Sequence, residues 1–222
     1  MTSSLPRTPK SVAAAGALAA VLFATAAAQE PQHLNDPRLA RLDTATRSLV
    51  AVAIDSARAA GLPTEPLVQR ALEGATKGAP GTLIASAVQR LAADLGRARA
   101  VLGAGATPPE LEAGAAALRA GAGPAVLAQL RRSRRQTITV PLAVLADLVA
   151  SGVPVDSAAA AVLALAASAR DADLIDLRRA VERDIALGAA PTAATAAAMA
   201  GVFGADALHV NAGARDARPG RP

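Results

Sequence analysis

The chain has no cysteine, tryptophan or tyrosine, and only two phenylalanines among its 222 residues. Without cysteine there is no disulfide staple and no lipoprotein anchor, so side-chain packing alone must hold the fold. Thiolate-based metal sites are excluded as well. The scarcity of aromatics removes stacking platforms for bases or sugars. It also removes the large aromatics that a tetratricopeptide repeat requires. Lysine is nearly missing: Lys10 and Lys77 are the only two. A serine–lysine dyad would have to use Lys77, at a helix C-terminus where a cation is favoured anyway. There is no G-x-S-x-G and no phosphate-cradling loop. Gly103-Ala104-Gly105 and Gly121-Ala122-Gly123 follow helical patterns rather than strands, so they are stops and not nucleotide fingerprints.

What the chain does have is punctuation. At Gly61-Leu62-Pro63, Gly105-Ala106-Thr107-Pro108, Gly152-Val153-Pro154 and Gly188-Ala189-Ala190-Pro191, a glycine precedes a proline where a helical pattern restarts. Glycine closes a helix and proline suits the first turn of the next. These glycines are 44, 47 and 36 residues apart, about the length of a helix pair. The spacing predicts an all-α fold of stacked helical hairpins, α-solenoid-like; the alternative is a compact helical bundle.

The ends read differently. Residues 1–28 have the form of an export signal: Arg7 and Lys10, an uncharged run from Val12 to Phe23, and Ala26-Ala27-Ala28 before Gln29. Cleavage near Ala28 would place the protein in the periplasm or outside the cell; an uncleaved N-terminal membrane anchor is the alternative. Residues 29–35 form a polar lead-in, residues 36–203 the helical repeat domain, and residues 204–222 a tail expected to be disordered. Without residues 1–28 the formal charge is +3, too small to argue for sequence-specific nucleic-acid binding.

Within the repeat domain, Asp36-Pro37 opens a helical pattern that runs to Ala60 with a break near Asp43. Thr64 is placed to cap the next helix, with Glu65 in its first turn and Gly78 at its end. Ile84, Val88, Leu91, Leu95, Ala98 and Leu102 form one helical stripe, with Asp94 expected on the polar side. Thr107-Pro108-Pro109-Glu110 is a capping box. Helical pattern resumes from Pro124 to Arg132. Thr137 to Val140 reads as an extended link into a helix ending at Ser151. Val155 to Ala169 is apolar nearly all round and is expected to be the central buried helix. Asp171 to Leu187 carries an apolar face of Leu174, Leu177, Val181 and Ile185, with Asp176–Arg179 and Arg178–Glu182 pairs on its other side. A last helix runs from Pro191 to Phe203.

The run Gly61 to Val68, with Ala71-Leu72-Glu73-Gly74 and Lys77-Gly78-Ala79-Pro80, resembles exported, alanine-rich helical proteins of GC-rich bacteria that have no assigned function. The resemblance implies an exported helical body and nothing about activity, since the matching residues are helix punctuation.

No residue pattern designates a catalytic, cofactor or metal site. His33 and His209 fall in the terminal segments. Asp171, Asp173 and Asp176 lack the glycine and terminal glutamate of a calcium loop and fit a helix first turn. Arg131, Arg132, Arg134 and Arg135 form the densest charge cluster, a candidate patch for anionic lipid or another polyanion. The expected function is non-catalytic: a helical stack that presents a surface to a protein or peptide partner. An enzyme using paired carboxylates is the remaining class.

Overall fold

A computed structural model describes residues 36–202. The export-signal reading of residues 1–28, the lead-in, His33, His209, Phe203 and the tail lie outside them.

Asp36 caps a short 3-10 turn, Pro37–Arg41, by accepting from the Arg38 amide. Asp43 then accepts from the Thr46 amide and hydroxyl, and starts α1, Thr44–Ala59. The following helices are α2 (Glu65–Thr76), α3 (Gly81–Leu102), α4 (Pro108–Arg119), α5 (Pro124–Ser133), α6 (Thr139–Ala150), α7 (Val155–Ala166) and α8 (Asp171–Ala186). Residues 191–202 continue as helix α9. No strand occurs among the described residues, so the fold is all-α.

Among α1 to α8, every substantial packing joins helices one or two places apart in the chain. That is the contact pattern of a sequential stack, in which each helix buries its neighbours' apolar faces. Helices α1, α3, α5 and α7 pack in succession, as do α4, α6 and α8. Alternate helices run parallel: Gly81 at the start of α3 abuts Thr46 at the start of α1, and Arg99 near its end donates to the Gly61 carbonyl at 2.7 Å.

Two apolar cores result. One runs from Leu39 through α1, α2 and α3 to Leu111 and Ala115 of α4. The other runs from Leu102 and from Ala113 and Ala117 of α4 to Ala198. Helix α4 therefore serves both, and its small residues make this feasible. Gly114 has no side chain where Leu102 and Ala98 of α3 approach to within 3.1 and 3.3 Å of a Cβ position. Close approach of this kind is what alanine and glycine permit.

Several sequence expectations need correction. Gly61, Gly152 and Gly188 adopt positive φ; before Pro108 Gly105 does not, and it is Gly103, the expected stop of α3, that does so, with φ 86° and ψ 171°. That backbone region is open essentially to glycine alone. Gly78, the expected end of α2, also takes positive φ, as does Gly121 after α4, so closing glycines end single helices as well as pairs. Thr64 makes no side-chain cap, because its backbone is already helical at φ −95° and ψ −26°. The link before α6 is shorter than expected, with Thr139 and Val140 inside the helix and Pro141 buried in its first turn.

The central helix is α6 and not α7. Only Ala150 is exposed along α6, whereas α7 shows Asp156, Ala160 and Ala164 to solvent. An apolar sequence does not distinguish the two, since alanine is tolerated on either side of a helix. Asp94 is the sharpest correction. It is 7% exposed, not solvated, and it ties α3 to α4.

Candidate functional site

Helices α2 and α4 both stand on α3, yet they are not packed on each other. The reason is visible in their facing residues. Helix α2 turns Glu65, Gln69 and Glu73, at steps of four, along one edge. Helix α4 answers with Glu112, Ala116 and Arg119. Long charged side chains on both edges favour hydration over contact. A trough is left between them, with Leu91 of α3 as its apolar floor. It consists of two adjoining cavities of about 550 and 560 Å³, which share Arg70, Leu91 and Arg119.

The two halves differ in charge. One half is lined by Arg70, Arg90, Arg97 and Arg119 against the single carboxylate of Asp94. Asp94 accepts from Arg97 at 2.6 Å and from Arg119 at 3.1 Å. Both arginines stay largely exposed, so each fork keeps N–H groups open to the trough. Arg70 pairs with Glu73 at 3.1 Å. Arg90 donates only to the Ser86 hydroxyl at 3.1 Å, and among the described residues it has no carboxylate partner.

Glu65, Glu73 and Glu112 line the other half, against Arg70 and Arg119. The hydrogen bond from Arg38 lowers the Glu65 carboxyl, with help from Gln69. A hydrogen bond from Lys77 lowers that of Glu73. Glu112 behaves oppositely: burial raises its carboxyl, and among the described residues no cation offsets this. The trough therefore carries an uncommitted arginine, Arg90, in one half and an uncommitted carboxylate, Glu112, in the other.

Away from the trough, Glu110 is a structural carboxylate. The capping box with Thr107 forms as expected. Its side chain also accepts from the Ile138 amide at 3.1 Å and meets Arg131 at 2.8 Å. Burial alone would raise this carboxyl, but the Arg131 guanidinium and the Thr107 and Ile138 amides prevail. Its pKa falls from the ordinary 4.5 to about 2.

The arginine cluster is divided by the fold. Arg134 is 7% exposed and donates to Asp171 of α8 at 2.6 Å. Arg131 is committed to Glu110. Arg132 and Arg135 alone remain exposed. The four do not form one outward patch, because two of them hold α5 to its neighbours. Asp171 is paired with Arg134, and Asp173 accepts from the Arg170 amide at 2.7 Å, so these carboxylates complete helix starts. Arg178 contacts Glu182 at 3.9 Å, as the helical spacing predicts, and also reaches Asp147 of α6 at 2.9 Å. Among the described residues no three metal-ligating side chains converge.

Sequence reasoning missed the trough residues. Arg70, Arg90, Arg97 and Arg119 lie far apart in the chain and each reads as an ordinary solvated helix position. The one available signal was the charge imbalance of α3, which carries Arg90, Arg97 and Arg99 against the single carboxylate of Asp94. No family model, curated protein or solved structure matches this chain.

Proposed function

We propose that this protein is a non-catalytic binding protein, exported after removal of residues 1–28, whose α2–α4 trough receives an extended segment of a protein or peptide partner. The single observation that carries this reading is the trough itself: a break in an otherwise packed layer, with an apolar floor and charged walls. Apolar floors with a few placed polar groups are the usual composition of recognition sites. Helices α2 and α4 have 12 residues each, about 18 Å of length. At roughly 3.3 Å per residue, such a trough accommodates about five or six residues of extended chain.

Selection of random displayed peptides on residues 29–222 tests the reading. Ala93 is exposed and lines the trough, so Ala93→Trp fills it without disturbing a core. Peptides enriched on the parent protein should fail on Ala93→Trp. Enrichment that is equal on both proteins, or absent from both, would sink the proposal.

A further inference from the structure

We infer that the segment this trough selects is charge-polarised, with acidic side chains at one end, apolar ones in the middle and a basic side chain at the other; the inference rests on the trough being a peptide site. The acidic end belongs beside Arg90, Arg97 and Arg119. Arg70 there is paired with Glu73, which leaves Arg90, Arg97 and Arg119 facing one carboxylate, Asp94, that Arg97 and Arg119 share. Arg90, lacking a carboxylate partner among the described residues, is the group most available to an incoming anion. Guanidinium forks bind carboxylates through two parallel N–H groups, which fixes orientation as well as sign.

The apolar middle belongs over Leu91, which both cavities share. In the other half Glu112 is exposed in the cavity wall with no cation partner among the described residues. A basic side chain of the ligand would supply the counter-charge there. Complementarity of this kind acts on selectivity more than on total affinity, since a ligand without an acidic side chain meets like or unmatched charge at the arginine end.

Three labelled six-residue peptides with blocked termini test this: Glu-Glu-Leu-Ala-Leu-Arg, the neutral analogue Gln-Gln-Leu-Ala-Leu-Gln, and Arg-Arg-Leu-Ala-Leu-Arg, which has no acidic side chain in either direction of lying. Fluorescence polarisation with residues 29–222 should show the Glu-headed peptide binding roughly tenfold or more tightly than the other two. That preference should shrink as salt is added. The variant Arg90→Glu changes an exposed side chain, so its helicity by circular dichroism should match the parent; its preference should pass to the Arg-headed peptide. If the Glu-headed and neutral peptides bind the parent alike, the charge assignment is overturned while the trough remains a peptide site. If none of the three binds, the peptide site itself fails, and the inference with it. Displacement of the bound peptide by free citrate at equal concentration would assign the arginines to small polyanions and overturn the peptide as occupant.

Discussion

Helix α4 meets its two layer neighbours in opposite ways: α6 presses against it, whereas α2 leaves a trough. The α6 side is apolar on both partners. Ala113 and Ala117 of α4 join the same core as Leu142, Val144, Leu145 and Leu148 of α6. Glu110 then locks that junction by reaching the Ile138 amide and Arg131. The α2 side has charge on both partners, and the tie that Arg119 of α4 makes, to Asp94, runs to α3 and not to α2. Closure between two helices thus depends on which residues occupy the facing edge, not on helix length or overall apolar content. The same contrast separates a structural carboxylate from an available one. Glu110 is surrounded by donors and held ionised; Glu112, two residues on, has none among the described residues.

Substitutions on the two sides should therefore differ most in stability. Leu145→Ala, at a fully buried position of α6, should cost about 2–5 kcal/mol in denaturant unfolding. Leu91→Ala, under the open trough, should cost only about 1 kcal/mol, because part of that side chain is already hydrated. Equal losses would mean that the trough is closed in solution.

Glu110 gives the next effect. Its carboxyl is lowered from 4.5 to about 2, so the folded state favours the ionised form. The stabilisation is complete above pH 4.5 and is lost as pH falls towards 2, on the order of 3 kcal/mol in all. Glu110→Gln should lower stability at pH 7 and flatten the acid limb of the stability profile. A variant with the parent's acid slope would remove Glu110 from this role.

Asp94→Ala follows, at about 1–2 kcal/mol. The buried carboxylate is removed, but its two arginine partners can rehydrate. An effect below about 0.5 kcal/mol would return Asp94 to the solvated face that its spacing suggested. Ala93→Trp, exposed in the trough wall, should leave the unfolding midpoint within about 0.5 kcal/mol of the parent and act on ligand binding alone.

Local features were legible in the sequence. The capping box at Thr107 and Glu110, the stripe from Ile84 to Leu102 and the break at Asp43 all depend on contacts within a few residues, and each took the expected form. The errors arose where the deciding partner was distant. Asp94 sits beside Leu95 on a helix edge, and its burial is decided by Arg119, 25 residues away. Arg134 resembled its neighbours in the cluster until Asp171, 37 residues on, claimed it. Whether α6 or α7 became central depended on which was covered on both sides, and their own residues do not encode that.

By itself, then, the sequence determined the helices, most of their ends and the sequential stack, because caps, glycine stops and the 3.6-residue repeat act over short range. Only the tertiary structure decided where the stack stays open. The α2–α4 trough exists because two charged edges, from helices separated in the chain by the whole of α3, are brought face to face and neither can bury its charges against the other.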